Sequence, residues 1–142
     1  MKPTRRSLSL LVPTLAASAQ QRPSTKTPLP SKVFRFEDLP VRTNGRNKSR
    51  AILEGATTNG YPIEVHMTEL APGQMPHPSH KHAHAEMVLI EEGTLEITIE
   101  GKTTVANAGS VGYVAPNEEH GWKNVGAGQA RYFVMALGRE RA

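Results

Sequence analysis

The sequence contains no cysteine, no internal repeat and no apolar run long enough to cross a bilayer. The first absence excludes disulfides, thiolate nucleophiles and Cys-ligated zinc. The second leaves one domain as the natural count for 142 residues. The third rests on the stretch from Leu8 to Ala17, which is too short for a membrane span and is interrupted by Pro13. A fourth absence concerns periodicity. Beyond residue 19, no stretch sustains a helical period of apolar residues, so helices are not expected to build the domain.

What the N-terminus does have is the layout of an export signal. MKPTRRSLSLLVPTLAASAQ combines a basic start, the apolar run and the small-residue triplet Ala17-Ser18-Ala19, with cleavage expected before Gln20. TRRSLSL also resembles a twin-arginine signal, which exports proteins already folded; an ordinary secretory signal is the alternative. Residues 1–19 are therefore read as a signal peptide and 20–32 as a flexible Pro-rich linker. The domain proper is residues 33–142. Removing the signal takes Lys2, Arg5 and Arg6 and lowers the formal charge from +4 to +1. The basic character is thus largely a property of the leader. It gives no support to nucleic-acid binding, and the mature form is expected to have no membrane segment. A periplasmic or secreted location follows from the signal.

The domain reads as short runs of Val, Ile, Thr and aromatics broken by Gly, Pro and Asn. They include KVFRF, RAILE, IEVHMTEL, EMVLI, TLEITIE, KTTVA, SVGYV, HGWKNV and ARYFVMAL. Short strands at close spacing indicate an all-β sandwich or barrel. TLEITIEG followed by KTTV is a hairpin, with Leu95, Ile97 and Ile99 on one face. Met87 and Leu89 lie opposite Glu86 on their strand and are apolar as well. That strand should be covered on both sides, by another subunit or by the N-terminal arm.

Four histidines and a glutamate stand within HPSHKHAHAE, residues 77–86. On one strand His80, His82 and Glu86 would share a face, and two imidazoles plus a carboxylate make most of a first-row metal site. A fourth ligand must come from elsewhere, and His120 is the only histidine downstream. His84 shares that parity but would close positions that chemistry needs, so it is read as a residue of the rim or just behind the ligands, interchangeable with one of them in another register. His77 is read as solvated, and His66 as lining a face without ligating.

These segments resemble the two motifs of the cupin family. GQMPHPSHKHAHAEMVLIEEG matches the first, from Gly73 through His80, His82 and Glu86 to Gly93, with one extra residue before His80. GSVGYVAPNEEHGWKN matches the second through Gly109, Pro116, His120 and Asn124. It lacks the glycine after Pro116 and has one residue fewer before the histidine, departures that fall in loops.

The resemblance implies a single jelly-roll β-barrel and a divalent ion on His80, His82, Glu86 and His120. Three imidazoles and a carboxylate suit Fe, Mn, Co or Ni with open positions, or four-coordinate Zn. Trp122, Tyr113, His84 and Asn124 are the candidates for the surrounding pocket. The resemblance further implies a homodimer and a small-molecule substrate, with dioxygenase, decarboxylase, isomerase and lyase chemistry all represented in the family. A non-enzymatic barrel binding a carbohydrate or carboxylate is the alternative.

Overall fold

The structure is a computed structural model, and it describes residues 28–138. The expected signal peptide and most of the linker lie outside those residues. Nine strands follow one short 3-10 helix, Phe36–Asp38. They are β1 (Val41–Asn44), β2 (Asn47–Ala56), β3 (Pro62–Leu70), β4 (Ala85–Glu92), β5 (Thr94–Ile99), β6 (Lys102–Asn107), β7 (Val111–Val114), β8 (His120–Asn124) and β9 (Ala130–Leu137). A larger sheet of order β1-β2-β3-β9-β4-β7 faces a smaller one of order β6-β5-β8. Every strand pairing is antiparallel, as expected of a jelly-roll barrel.

Alternation explains the packing. Val88 and Ile90 of β4, Tyr132 and Val134 of β9, and Leu95 and Ile97 of β5 point between the sheets and form one core with Leu70, Trp122 and Ala130. Leu95 and Ile90 are almost wholly buried, each contributing about 2 kcal/mol through apolar area removed from water. The β5–β6 hairpin turns on Glu100 and Gly101, both at positive φ, the geometry of a tight hairpin turn. Gly93, between β4 and β5, combines positive φ with backbone contact: an added Cβ would sit 2.8 Å from the Ala130 Cα.

The N-terminal stretch departs from expectation. KVFRF is not a strand; it runs outside the larger sheet into the 3-10 helix. Phe36 lies over the guanidinium groups of Arg50 and Arg131, at 4.4 and 5.8 Å. Both arginines bracket the buried Glu69, at 2.9 and 3.5 Å. A strand at Val41–Asn44 was not expected, although Asn44-Gly45 before a second extended run is hairpin chemistry. Within the stretch read as linker, Leu29 N–H donates to the Ala56 carbonyl at 2.8 Å.

The arm covers only part of the outer face. Leu89, Val111 and Tyr113 stay exposed across β4 and β7.

Asn124 is fully buried and acts as a clamp between loops. Its Nδ2 donates to the carbonyls of Leu70 and Gly128 at 2.9 and 2.8 Å, and its Oδ1 accepts from Gly126 N–H at 2.9 Å. Asn124→Ala strands all three groups and is expected to destabilise the fold by roughly 3 kcal/mol. Urea unfolding measures it; a loss below about 1 kcal/mol would mean that water replaces the clamp without cost.

Candidate metal centre

The histidine segment does not sit on one strand. β4 begins at Ala85, and residues 71–84 cross between the sheets as an irregular connection. The parity expected to align His80, His82 and Glu86 therefore does not apply. They meet by another route. His80 forms an isolated antiparallel bridge to His120, the first residue of β8. His80 N–H donates to the His120 carbonyl at 3.0 Å, and His120 N–H returns to the His80 carbonyl at 2.8 Å. This bridge brings the crossing segment against the smaller sheet, while Glu86 projects inward from β4 of the larger one.

The three rings then form a compact triangle. Centroids are 5.3 Å apart for His80–His82 and 4.7 Å for each of His80–His120 and His82–His120. Two of the rings are oriented from behind. His82 Nδ1 is 2.9 Å from the His84 carbonyl, and His120 Nδ1 is 2.9 Å from the Glu118 carbonyl. A carbonyl only accepts, so each Nδ1 carries the proton and each Nε2 is left as a lone-pair donor. Both Nε2 atoms face Glu86: His82 Nε2 meets Oε2 directly, and His120 Nε2 lies 3.5 Å from the same oxygen.

The donor set passes a test of fit for a divalent ion. His120 Nε2 and His80 Nδ1 are buried ring nitrogens without a hydrogen-bond partner among the described residues. Burying them unpaired costs free energy that an ion would offset. Ligating atoms of His80, His82 and His120 lie within 4.8 Å of one another, and Glu86 closes the fourth side. Burial lowers the pKa of His80, as do the neighbouring His77, His120 and His82, against an opposing effect of Glu86. The neutral, ligating form of that imidazole is thereby favoured.

The other expected residues divide. Trp122 lies alongside His120, ring centroids 5.6 Å apart and planes tilted by 28°, and it lines the cavity above the triad. His84 also lines that cavity and stacks on His82 at 3.6 Å. Tyr113 is not in the pocket. Its neighbours Gly112 and Val114 take the inward positions on β7, which leaves Tyr113 on the outer surface, 57% exposed. Asn124 does point inward, but its amide is fully engaged by backbone groups and does not line the cavity. His77 is exposed as expected, yet its ring packs edge-on against His80 at 4.3 Å. His66 faces the cavity with its Nδ1 3.4 Å from Glu64 and takes no part in the triad.

The cavity measures about 710 Å³, within the range of small-molecule sites. Arg42, Ser49 and Thr68 belong to its wall and were not expected from sequence. The alternation of IEVHMTEL around His66 was the only signal pointing to any of them.

A family model described as a cupin domain matches residues 66–136. No curated protein gives a significant match. Among solved structures, an RmlC-like cupin from Shewanella frigidimarina is 19% identical with a TM-score of 0.63, over 77% of this chain and 93% of that one. The polyketide cyclase RemF from Streptomyces resistomycificus is 17% identical with a TM-score of 0.64, over 79% and 82%. A predicted oxalate decarboxylase from Thermotoga maritima is 18% identical with a TM-score of 0.63, over 76% and 100%. At these identities the likeness is one of fold.

Replacing His82 or His120 by alanine is expected to remove most bound metal, because a site short of one ligand binds far more weakly. His84→Ala should retain it, since the group that orients His82 is the backbone carbonyl of residue 84. Elemental analysis of the purified variants checks this; full metal in His82→Ala and His120→Ala would refute the ligand set.

Proposed function

The chain belongs to the cupin family, and on that premise we propose that it is a metal-dependent small-molecule enzyme acting outside the cytoplasm. One observation carries the reading: three imidazoles cluster, two of them facing Glu86, at one end of a cavity large enough for a substrate. The ion is one of Fe, Mn, Ni, Co or Zn, and four protein ligands leave positions open on a six-coordinate metal. Such an ion supplies Lewis-acid polarisation of a bound oxygen, or a site for dioxygen if it is redox-active. The export signal supports the location.

The chain's own residues do the rest. Val134 and Ala136 give the cavity an apolar side that limits water, and the indole of Trp122 fixes a flat wall beside His120. His66, with Glu64 at 3.4 Å, is an imidazole of this wall outside the ligand set, placed to take up or release a proton. A homodimer is part of the same reading. Leu89, Val111 and Tyr113 present a contiguous exposed apolar face on β4 and β7, suited to a second copy.

Oxygen uptake and product formation by metal-loaded protein, screened with phenolic and small carboxylate compounds, test the activity. His66→Gln is expected to lower turnover roughly a hundredfold while metal content stays at the wild-type level. Metal-loaded protein that binds compounds but converts none would assign the barrel to non-enzymatic ligand binding. Paired Leu89→Arg and Val111→Arg substitutions should yield monomers in sedimentation experiments. A wild-type protein that is already monomeric would remove the dimer.

A further inference from the structure

A row of four residues crosses the inner face of the larger sheet. Register sets Arg42 of β1 opposite Ser49 of β2, Ser49 opposite Thr68 of β3, and Thr68 opposite Tyr132 of β9. All four line the cavity. The row descends from the exposed Arg42, through the half-buried Ser49, to the buried Thr68 and Tyr132. Arg42 has no ion pair or hydrogen bond among the described residues, so its guanidinium stands uncommitted at the mouth.

The smaller sheet adds a donor at the deep end. Trp122 is 3% exposed and packs edge-on against Tyr132, with ring centroids 5.9 Å apart. Its Nε1–H is buried and, among the described residues, makes no hydrogen bond of good geometry, only a weak one with the Tyr132 hydroxyl. A poorly satisfied indole N–H in a cavity wall is a place for a ligand's acceptor. Burial pushes the Tyr132 phenol far above its ordinary range, against weak hydrogen bonding with the Trp122 and Thr68 side chains, so the hydroxyl keeps its proton.

The wall thus offers a guanidinium, three hydroxyls and an indole N–H. Indole and guanidinium only donate, and the guanidinium presents the planar fork that matches a carboxylate. A ligand that satisfies this wall is rich in acceptors and carries negative charge at one end. Resting on the reading of this cavity as a metal site, we propose that it takes a small hydroxy- or oxo-carboxylate. The carboxylate lies on Arg42 and the Ser49 hydroxyl, and a second oxygen at the far end accepts from Trp122 Nε1–H beside the metal ligands. Arg42 and Ser49 then determine specificity, and neither touches the ion.

The test uses the mature chain, loaded with zinc and also metal-free, with lactate and malate as probes and lactamide and malamide as neutral counterparts. Trp122 is the sole tryptophan, so its fluorescence reports occupancy directly, with calorimetry as a second readout. Carboxylates are expected to bind roughly tenfold more tightly than the amides, and Arg42→Gln should abolish that preference without changing metal content. Ser49→Ala should weaken carboxylate binding by roughly threefold and leave amide binding unchanged. The Arg42-dependent preference should persist, at lower affinity, in the metal-free protein. Equal binding of amides and carboxylates, a preference that survives Arg42→Gln, or no carboxylate binding to protein of verified zinc content would each overturn the proposal. Failure to load zinc would instead count against the metal site, while the metal-free arm still decides the role of Arg42.

Discussion

Two backbone hydrogen bonds between His80 and His120 hold the centre together. They join an irregular crossing segment to the first residue of a strand, and a further bond from Asn117 N–H to the His82 carbonyl at 2.8 Å fixes the same segment two residues on. With these bonds in place, the rings of residues 80, 82 and 120 lie within 5.3 Å of one another. The carbonyls of residues 84 and 118 then turn two of them so that their free nitrogens face one carboxylate. Backbone groups do this work on both sides. The ligand geometry is therefore rigid without a network of supporting side chains, which is how a site in a small barrel can be pre-formed.

The rest of the barrel divides the cavity by chemistry. The inner face of the larger sheet carries apolar side chains on β4 and the inward-facing Val134 and Ala136 of β9 near the triad, and polar ones on β1, β2 and β3 toward the mouth. The outer face of the same sheet bears the Arg50–Glu69–Arg131 cluster under Phe36, which fastens the N-terminal segment to β2, β3 and β9. Charges that hold the fold are thus kept on one side of the sheet, and the side chains facing the cavity are left for a ligand.

Much of this architecture was legible in the sequence, for a physical reason: short strands with strict alternation report their own faces. ARYFVMAL coincides with β9, and TLEITIEG with KTTV forms the expected hairpin. The misses are equally physical. VRTN is short, polar and exposed along its length, so nothing in its pattern marks a strand until its partner is known. KVFRF has strand-like composition, but Phe36 serves two guanidinium groups across the sheet surface. The three histidines of the triad and Glu86 were visible as a cluster and a downstream histidine. Their convergence was not, because it depends on a bridge between residues 80 and 120 that strand parity cannot report. Tyr113 and Asn124 were misplaced because an inward position or an aromatic ring says nothing of what the polar group will meet.

The central claim is that one divalent ion is held by three imidazoles and one carboxylate. X-ray absorption spectroscopy of the zinc-loaded protein addresses it most directly. The account predicts a shell of nitrogen and oxygen only, at about 2.0–2.1 Å, with outer scattering that fits three imidazole rings. A shell with one imidazole or none, or one dominated by water, would contradict it.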